Sequence, residues 1–279
     1  MMRITILTRR KFFLGAIAIL FGANTPGAIA QAGGLPTNVK HTDSSPEWEK
    51  LREKLFPGRS MESTASMVQL VVPLRAAYGA SVPVRIVSKL PQSTALYVKK
   101  ITLLVDKNPS PVAAVLDLTP ELGQADFETR LRVDEYSHIR VVSELSNGEL
   151  HTDSRYVKVS GGCSAPPNRD QLHNIGKTIL KMPEGIKVNA PTPVDVQVVH
   201  PNDTGFEMNQ ISLLYIPAHF VRSIRVSYAG RPLFDAELDF SISENPAFRF
   251  NFVPGAGGEL KAEVVDSKEG SYVATLRVP

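Results

Sequence analysis

Tyr97-Val98-Lys99-Lys100-Ile101-Thr102-Leu103 lies over Phe220-Val221-Arg222-Ser223-Ile224-Arg225-Val226 without a gap. Each segment opens on an aromatic ring and a valine, follows with a basic residue, then alternates apolar with polar, the pattern of a half-buried strand. At the same offset Pro109 falls on Pro232 and Ala113 on Ala236. With small gaps Ala125-Asp126-Phe127 meets Pro246-Ala247-Phe248, and Tyr156-Val157-Lys158-Val159 meets Tyr272 through Val278. One strand order used twice, each copy with its own core, is the reading these pairs support.

Outward from that pair the dominant period stays two. Val68, Leu70, Val72 and Leu74 alternate, as do Val82, Val84 and Ile86, and Phe127, Thr129, Leu131 and Val133. Later, Val194, Val196 and Val198 repeat the pattern, followed by Phe248, Phe250 and Phe252. Asn147-Gly148 between two apolar runs is a hairpin signal. Short strands separated by turn residues at this spacing predict β-sandwiches. The fold class is therefore all-β, two immunoglobulin-like β-sandwich modules in tandem over 45–163 and 175–279. The proline-containing stretch 164–174 reads as the linker. One helix precedes the first module: Ser45-Pro46 reads as an N-cap with proline at the first helical position. Trp48, Leu51 and Leu55 recur at helical spacing, and Pro57-Gly58 stops the run; Trp48 is expected to bury against the first module.

Residues 1–30 read as an export signal. Arg3, Arg9, Arg10 and Lys11 precede the short apolar run Phe12–Phe21, and Ala28-Ile29-Ala30 offers a cleavage pattern. Thr8-Arg9-Arg10-Lys11-Phe12 resembles a twin-arginine signal, so a periplasmic location is expected. The whole chain carries 31 basic and 28 acidic residues. The signal holds four of the basic ones and no acid, which leaves 27 against 28, a net charge of −1. Nothing in that balance calls for nucleic acid or an anionic membrane.

Cys163 is the one cysteine in the chain, so an intrachain disulfide is excluded, and a mixed disulfide, a reactive thiol or a buried inert residue remains. It follows Gly161-Gly162 and precedes Ser164-Ala165-Pro166-Pro167. If Val159 corresponds to Val278, Gly161-Gly162-Cys163 is a terminal arm of the first module. The second module has no counterpart of it. An arm outside the sheet predicts an exposed thiol, with Gly161 and Gly162 as its hinge.

These residues resemble a known pair. The chain is similar to a fusion of SoxY and SoxZ, the two subunits of the sulfur-compound carrier of bacterial sulfur oxidation. The SoxY likeness lies in the twin-arginine start, the short helix and Gly161-Gly162-Cys163 after a valine-rich strand. The SoxZ likeness lies in His200-Pro201-Asn202-Asp203-Thr204-Gly205, Ile216-Pro217-Ala218-His219-Phe220-Val221, Tyr228-Ala229-Gly230-Arg231-Pro232 and Ser241-Ile242-Ser243-Glu244-Asn245-Pro246. The resemblance implies a non-catalytic carrier without a cofactor, whose Cys163 holds a sulfur-containing fragment, as in thiosulfate oxidation, and presents it to partner redox enzymes. The family's arm reads Gly-Gly-Cys-Gly-Gly at a free end; here it reads Gly-Gly-Cys-Ser-Ala and is tied at both sides, so it enters a partner as a loop. Fused carriers of this kind also accompany periplasmic quinoprotein (PQQ) dehydrogenases. The alternative is a non-covalent adaptor for such a system.

His200, Thr204 and Gly205 are candidates to lie beside the arm, although a histidine opening a Pro-x-x-Thr-Gly turn is more often bonded to local backbone. The remaining histidines show no metal-ligand spacing, so no metal site is expected. No hydrolase elbow, phosphate loop or dinucleotide glycine pattern is present.

Overall fold

The computed structural model describes residues 43–63, 67–255 and 257–278, so the signal expected over residues 1–30 lies outside them. Helix α1 (Pro46–Leu55) begins where the cap signal places it. The Ser45 hydroxyl accepts from the Trp48 N–H at 3.0 Å and donates to Asp106. Trp48 is buried with Leu104, Val142 and Leu150, and the buried Arg140 guanidinium lies 4.1 Å from its ring centre. Arg140 is in turn paired with the buried Asp106 at 2.8 Å, so the cation against the indole is neutralised.

Strands follow as β1 (Glu62–Ser63), β2 (Val68–Val71), β3 (Val82–Ser88), β4 (Val98–Val105), β5 (Val112–Leu118), β6 (Phe127–Leu131), β7 (Ser137–Leu145) and β8 (Leu150–Val157). The second half supplies β9 (Thr178–Lys181), β10 (Thr192–Val198), β11 (Val221–Tyr228), β12 (Arg231–Leu238), β13 (Ala247–Phe252), β14 (Gly258–Asp266) and β15 (Ser271–Val278). Alternating burial along β3, β10 and β13 follows the alternation of their side chains.

Two sheets form. One runs β1-β8-β7-β4-β5-β12-β11-β14-β15 and the other β2-β3-β6-β13-β10-β9. Reading each from its centre outward, β5-β4-β7-β8 is repeated by β12-β11-β14-β15, and β6-β3-β2 by β13-β10-β9. The internal repeat is thus real, with Tyr97–Leu103 entering β4 and Phe220–Val226 entering β11.

The expectation of a separate core in each copy is corrected. Both sheets are continuous across the halves, through antiparallel pairing of β5 with β12 and of β6 with β13. An unpaired edge leaves a row of backbone groups without partners. Here the two equivalent edges pair with each other. The cores merge accordingly: Phe127 of the first half packs edge-on against Phe234 at 5.3 Å, and Phe234 against Phe250 at 5.0 Å. Each such pair contributes about 0.5–1.5 kcal/mol beyond its buried area. A single apolar cluster runs from Val68 to Val278.

Candidate functional site

Beyond β8 the chain does not project. Three backbone segments converge there: the Gly161 N–H donates to the Asp134 carbonyl at 2.8 Å, Gly162 N–H to Val133 at 3.0 Å, and Val133 N–H to Gly79 at 2.8 Å. Glycine makes the approach possible. A Cβ on Gly162 would stand 2.3 Å from the Gly79 oxygen, and one on Gly79 would stand 2.5 Å from the Ser160 oxygen. Gly161 differs: its φ is +73° and its side-chain position faces open space. Gly161 therefore supplies the turn, while Gly162, expected as a hinge, sits where only hydrogen fits.

Cys163 is 1 % exposed, which corrects the expectation of an exposed thiol. Its N–H donates to Asp134 Oδ1 at 3.2 Å, and its carbonyl accepts from Thr204 Oγ1 at 2.6 Å. Burial first, and the Asp134 charge second, push the thiol up to about 12. The thiolate is the nucleophilic form, so docking holds the sulfur in its protonated, weakly nucleophilic state. The physical reason for burial is that both halves hold the arm, Asp134 and Arg132 from the first and Thr204 from the second. A chain that must continue into the second half crosses the groove between halves, and polar side chains there hold its carbonyls.

Arg132 is the chief of these. It is fully buried, and Nη1 donates to the Gly162 carbonyl at 2.9 Å and the Ala165 carbonyl at 3.1 Å. Nη2 reaches the Asn202 carbonyl at 3.4 Å and lies 3.9 Å from Glu207. Glu207, also buried, accepts from the backbone N–H of Thr204 and Gly205. Asn108 braces the same region, donating to the Arg132 carbonyl at 2.8 Å and accepting from the Asp134 N–H at 3.0 Å. Sequence reading missed Arg132, Asp134, Glu207, Asn108 and Gly79. The one available signal was Glu207 three residues after Thr204, the spacing of a side chain that caps a turn.

Of the three second-half candidates, Thr204 bonds the arm and Gly205 continues the same turn, with φ +90°. His200 turns elsewhere. Its Nδ1 accepts from the Asn202 N–H at 3.0 Å, the local backbone bond anticipated for a turn histidine. Its Nε2 lies 3.3 Å from His219 Nε2 and 3.8 Å from Asp266 Oδ2, and His219 Nε2 lies 3.0 Å from the same oxygen. Those edges approach the ~3.4 Å of a tetrahedron with zinc–nitrogen bonds of about 2.0–2.1 Å.

The wiring favours protons over a metal. An Nδ1 that accepts leaves the proton on Nε2 of a neutral ring. Asp266 is an anion: burial opposes its charge, but hydrogen bonds from His219, Tyr272 and the N–H groups of Gly270 and Lys268 outweigh it and hold the pKa at about 2. His219 Nε2, at 3.0 Å from that anion, then holds a proton as well. Two imidazole N–H groups face one carboxylate oxygen, whereas a metal ligand presents a bare nitrogen and donates from its other one. Burial, followed by the neighbouring His219, lowers His200 to about 4, so it is neutral at physiological pH.

Two protein families match successive parts of the chain. The profile of the family "Sulfur oxidation protein SoxY" matches residues 52–163, ending on Cys163, and that of "Sulphur oxidation protein SoxZ" matches residues 180–277. No curated protein sequence matches. Among solved structures, the sulfur carrier protein SoxY from Chlorobium limicola f thiosulfatophilum is 24 % identical, covering 42 % of this chain and all of its own, at TM-score 0.35. A superoxide reductase (neelaredoxin) from Ignicoccus hospitalis is 15 % identical over 34 % of this chain and 81 % of its own, at TM-score 0.31. Superpositions this partial carry no argument, and identity rests on the two family profiles, in this order and on these residues. The chain belongs to the SoxY and SoxZ families, as a SoxY-type domain fused to a SoxZ-type domain in one polypeptide.

Proposed function

We propose that this protein is a periplasmic carrier that holds a sulfur-containing fragment covalently on Cys163 and presents it to partner redox enzymes. One observation carries the reading. Everything that grips the arm grips its backbone, at Gly161, Gly162, Cys163 and Ala165. The sulfur itself makes none of these bonds, so the group that would carry cargo takes no part in holding the arm. Loading from thiosulfate forms an S–S bond between Cys163 and its terminal sulfur. The thiol proton is released, and two electrons pass to a redox partner. The docked thiol is buried and weakly acidic, so the arm leaves its docked position to be loaded. The protein itself is not a catalyst: the charged groups that face the sulfur, Asp134, Arg132 and Glu207, hold the arm or neutralise one another.

Export through the twin-arginine pathway fits this role, since the signal precedes a protein that folds as one unit. No helix among the described residues is long and apolar enough to cross a membrane. The burial of Cys163 favours one competing reading, a non-covalent adaptor for a periplasmic quinoprotein (PQQ) dehydrogenase system in which the thiol is incidental. Replacing the chromosomal copy with Cys163→Ser separates them. The carrier reading expects loss of sulfur-compound oxidation by the cells. Undiminished oxidation, with the dehydrogenase also intact, leaves only the adaptor.

A further inference from the structure

The turn that holds the arm leads directly into an unusual tip. From Phe206 to Tyr215 the chain runs out and back, closed by pairing of Met208 with Tyr215. Six large apolar side chains on it face solvent: Phe206, Met208, Ile211 at 96 % exposure, Leu213 at 68 %, Leu214 at 69 % and Tyr215. Scattered apolar residues on a surface need no explanation, but six within ten residues mark an interaction site.

The tip is built, not slack. Asn209 Oδ1 accepts from the N–H groups of Ile211 and Ser212, and the Asn209 main chain bonds Leu213 and Leu214. Leu213 itself has a φ of +57°, a left-handed conformation in which a leucine is strained. Strain held in place by surrounding hydrogen bonds, so that apolar groups point outward, is preorganisation for a contact.

Its base is shared with the arm. Thr204 Oγ1 donates to the Cys163 carbonyl and accepts from the Phe206 N–H, while Glu207 accepts from Thr204 and Gly205 and pairs with Arg132. Arm and tip thus hang from the same turn. Between residues 206 and 221 there is no lysine or arginine, and the one acid, Glu207, is buried. An anionic lipid surface gains nothing electrostatic here, whereas a dry pocket in a protein gains Met and aromatic anchors.

We infer that Phe206–Tyr215 is the docking tip for the enzyme that acts on Cys163, a protein with an apolar cleft beside its own catalytic site. This rests on the carrier reading above. The tip gives the enzyme a fixed hold while the tethered arm, entering as a loop, is released to it.

The test uses the full-length protein with Ile211→Ser and Leu214→Ser together. Both side chains are exposed, so the melting temperature should stay where it is. Wild type and variant are incubated with thiosulfate and the periplasmic fraction of the native host, and loading of Cys163 is followed by intact mass. A small thiol reagent gives the partner-independent reactivity of the same cysteine. The expected result is loading slowed about 10-fold or more, with reagent labelling unchanged. Equal loading of both proteins overturns the docking tip and leaves the carrier standing. No loading of the wild type overturns both. Reduced labelling by the reagent shows that the substitutions act on the arm instead. Loss of self-association on sizing assigns the tip to a second copy, and loss of binding to anionic vesicles assigns it to lipid; either result overturns the inference.

Discussion

Gly162 shows most sharply what single residues do here. Its α-hydrogens face the Gly79 carbonyl and both polar atoms of Val133, so any Cβ forces the arm away from the groove. Gly162→Ala is expected to cost on the order of 1–3 kcal/mol of docking. It should speed labelling of Cys163 by a small thiol reagent at least 5-fold; labelling at the wild-type rate would show that the arm docks some other way. Cys163 itself was legible in the sequence as the residue of interest, because it is the one thiol and follows two glycines. Its burial was not. The groups that bury it come from residues 79, 132–134 and 204–207, and no local pattern joins those segments. Arg132 was hidden for a related reason: it follows the alternating residues Phe127, Thr129 and Leu131, where a charged side chain reads as facing solvent.

At the scale of elements, the loop opened by His200 and the turn after β14 meet through His200, His219 and Asp266, with Lys268 nearby. This contact should titrate. His200 is lowered to about 4 in the fold, against about 6.5 in an unfolded chain. Between those values the unfolded state binds the extra proton, so stability is full above pH 6.5 and falls as pH drops towards 4. Asp266, held at about 2, adds a separate loss below its unfolded value near 3.9. His200→Asn should flatten the pH dependence of urea unfolding between 6.5 and 4 while leaving the acid limb. An unchanged slope in the upper window would remove His200 from the account. The elements themselves were the most legible layer. Helix α1 and strands such as β3, β10, β11 and β13 follow their side-chain periods, because each buries one face; β4 is covered on both, Leu103 by the main core and Leu104 by Trp48. The tip at 206–215 broke that rule, since its apolar residues are exposed and no period announces them.

For the whole molecule, the repeat was readable but its consequence was not. Sequence comparison shows that two halves share a strand order; it does not show which edges meet. Pairing of β5 with β12 and β6 with β13 depends on residues more than 100 positions apart. It converts two small sandwiches into one. Calorimetry should therefore record a single cooperative transition, with calorimetric and van't Hoff enthalpies equal. Two resolved transitions would show that the halves keep separate cores. The same seam holds the SoxY-type and SoxZ-type parts in fixed register, so that Arg132 of one and Thr204 of the other stay placed to hold the Cys163 segment. The claim on which all of this turns is that Cys163 bears cargo. Intact mass of the protein taken from native cells supplied with a reduced sulfur compound tests it most directly. The account predicts species heavier than the free thiol, returned to the free mass by reductant and mapped to the peptide containing Cys163. A single species at the free-thiol mass under those conditions would contradict it.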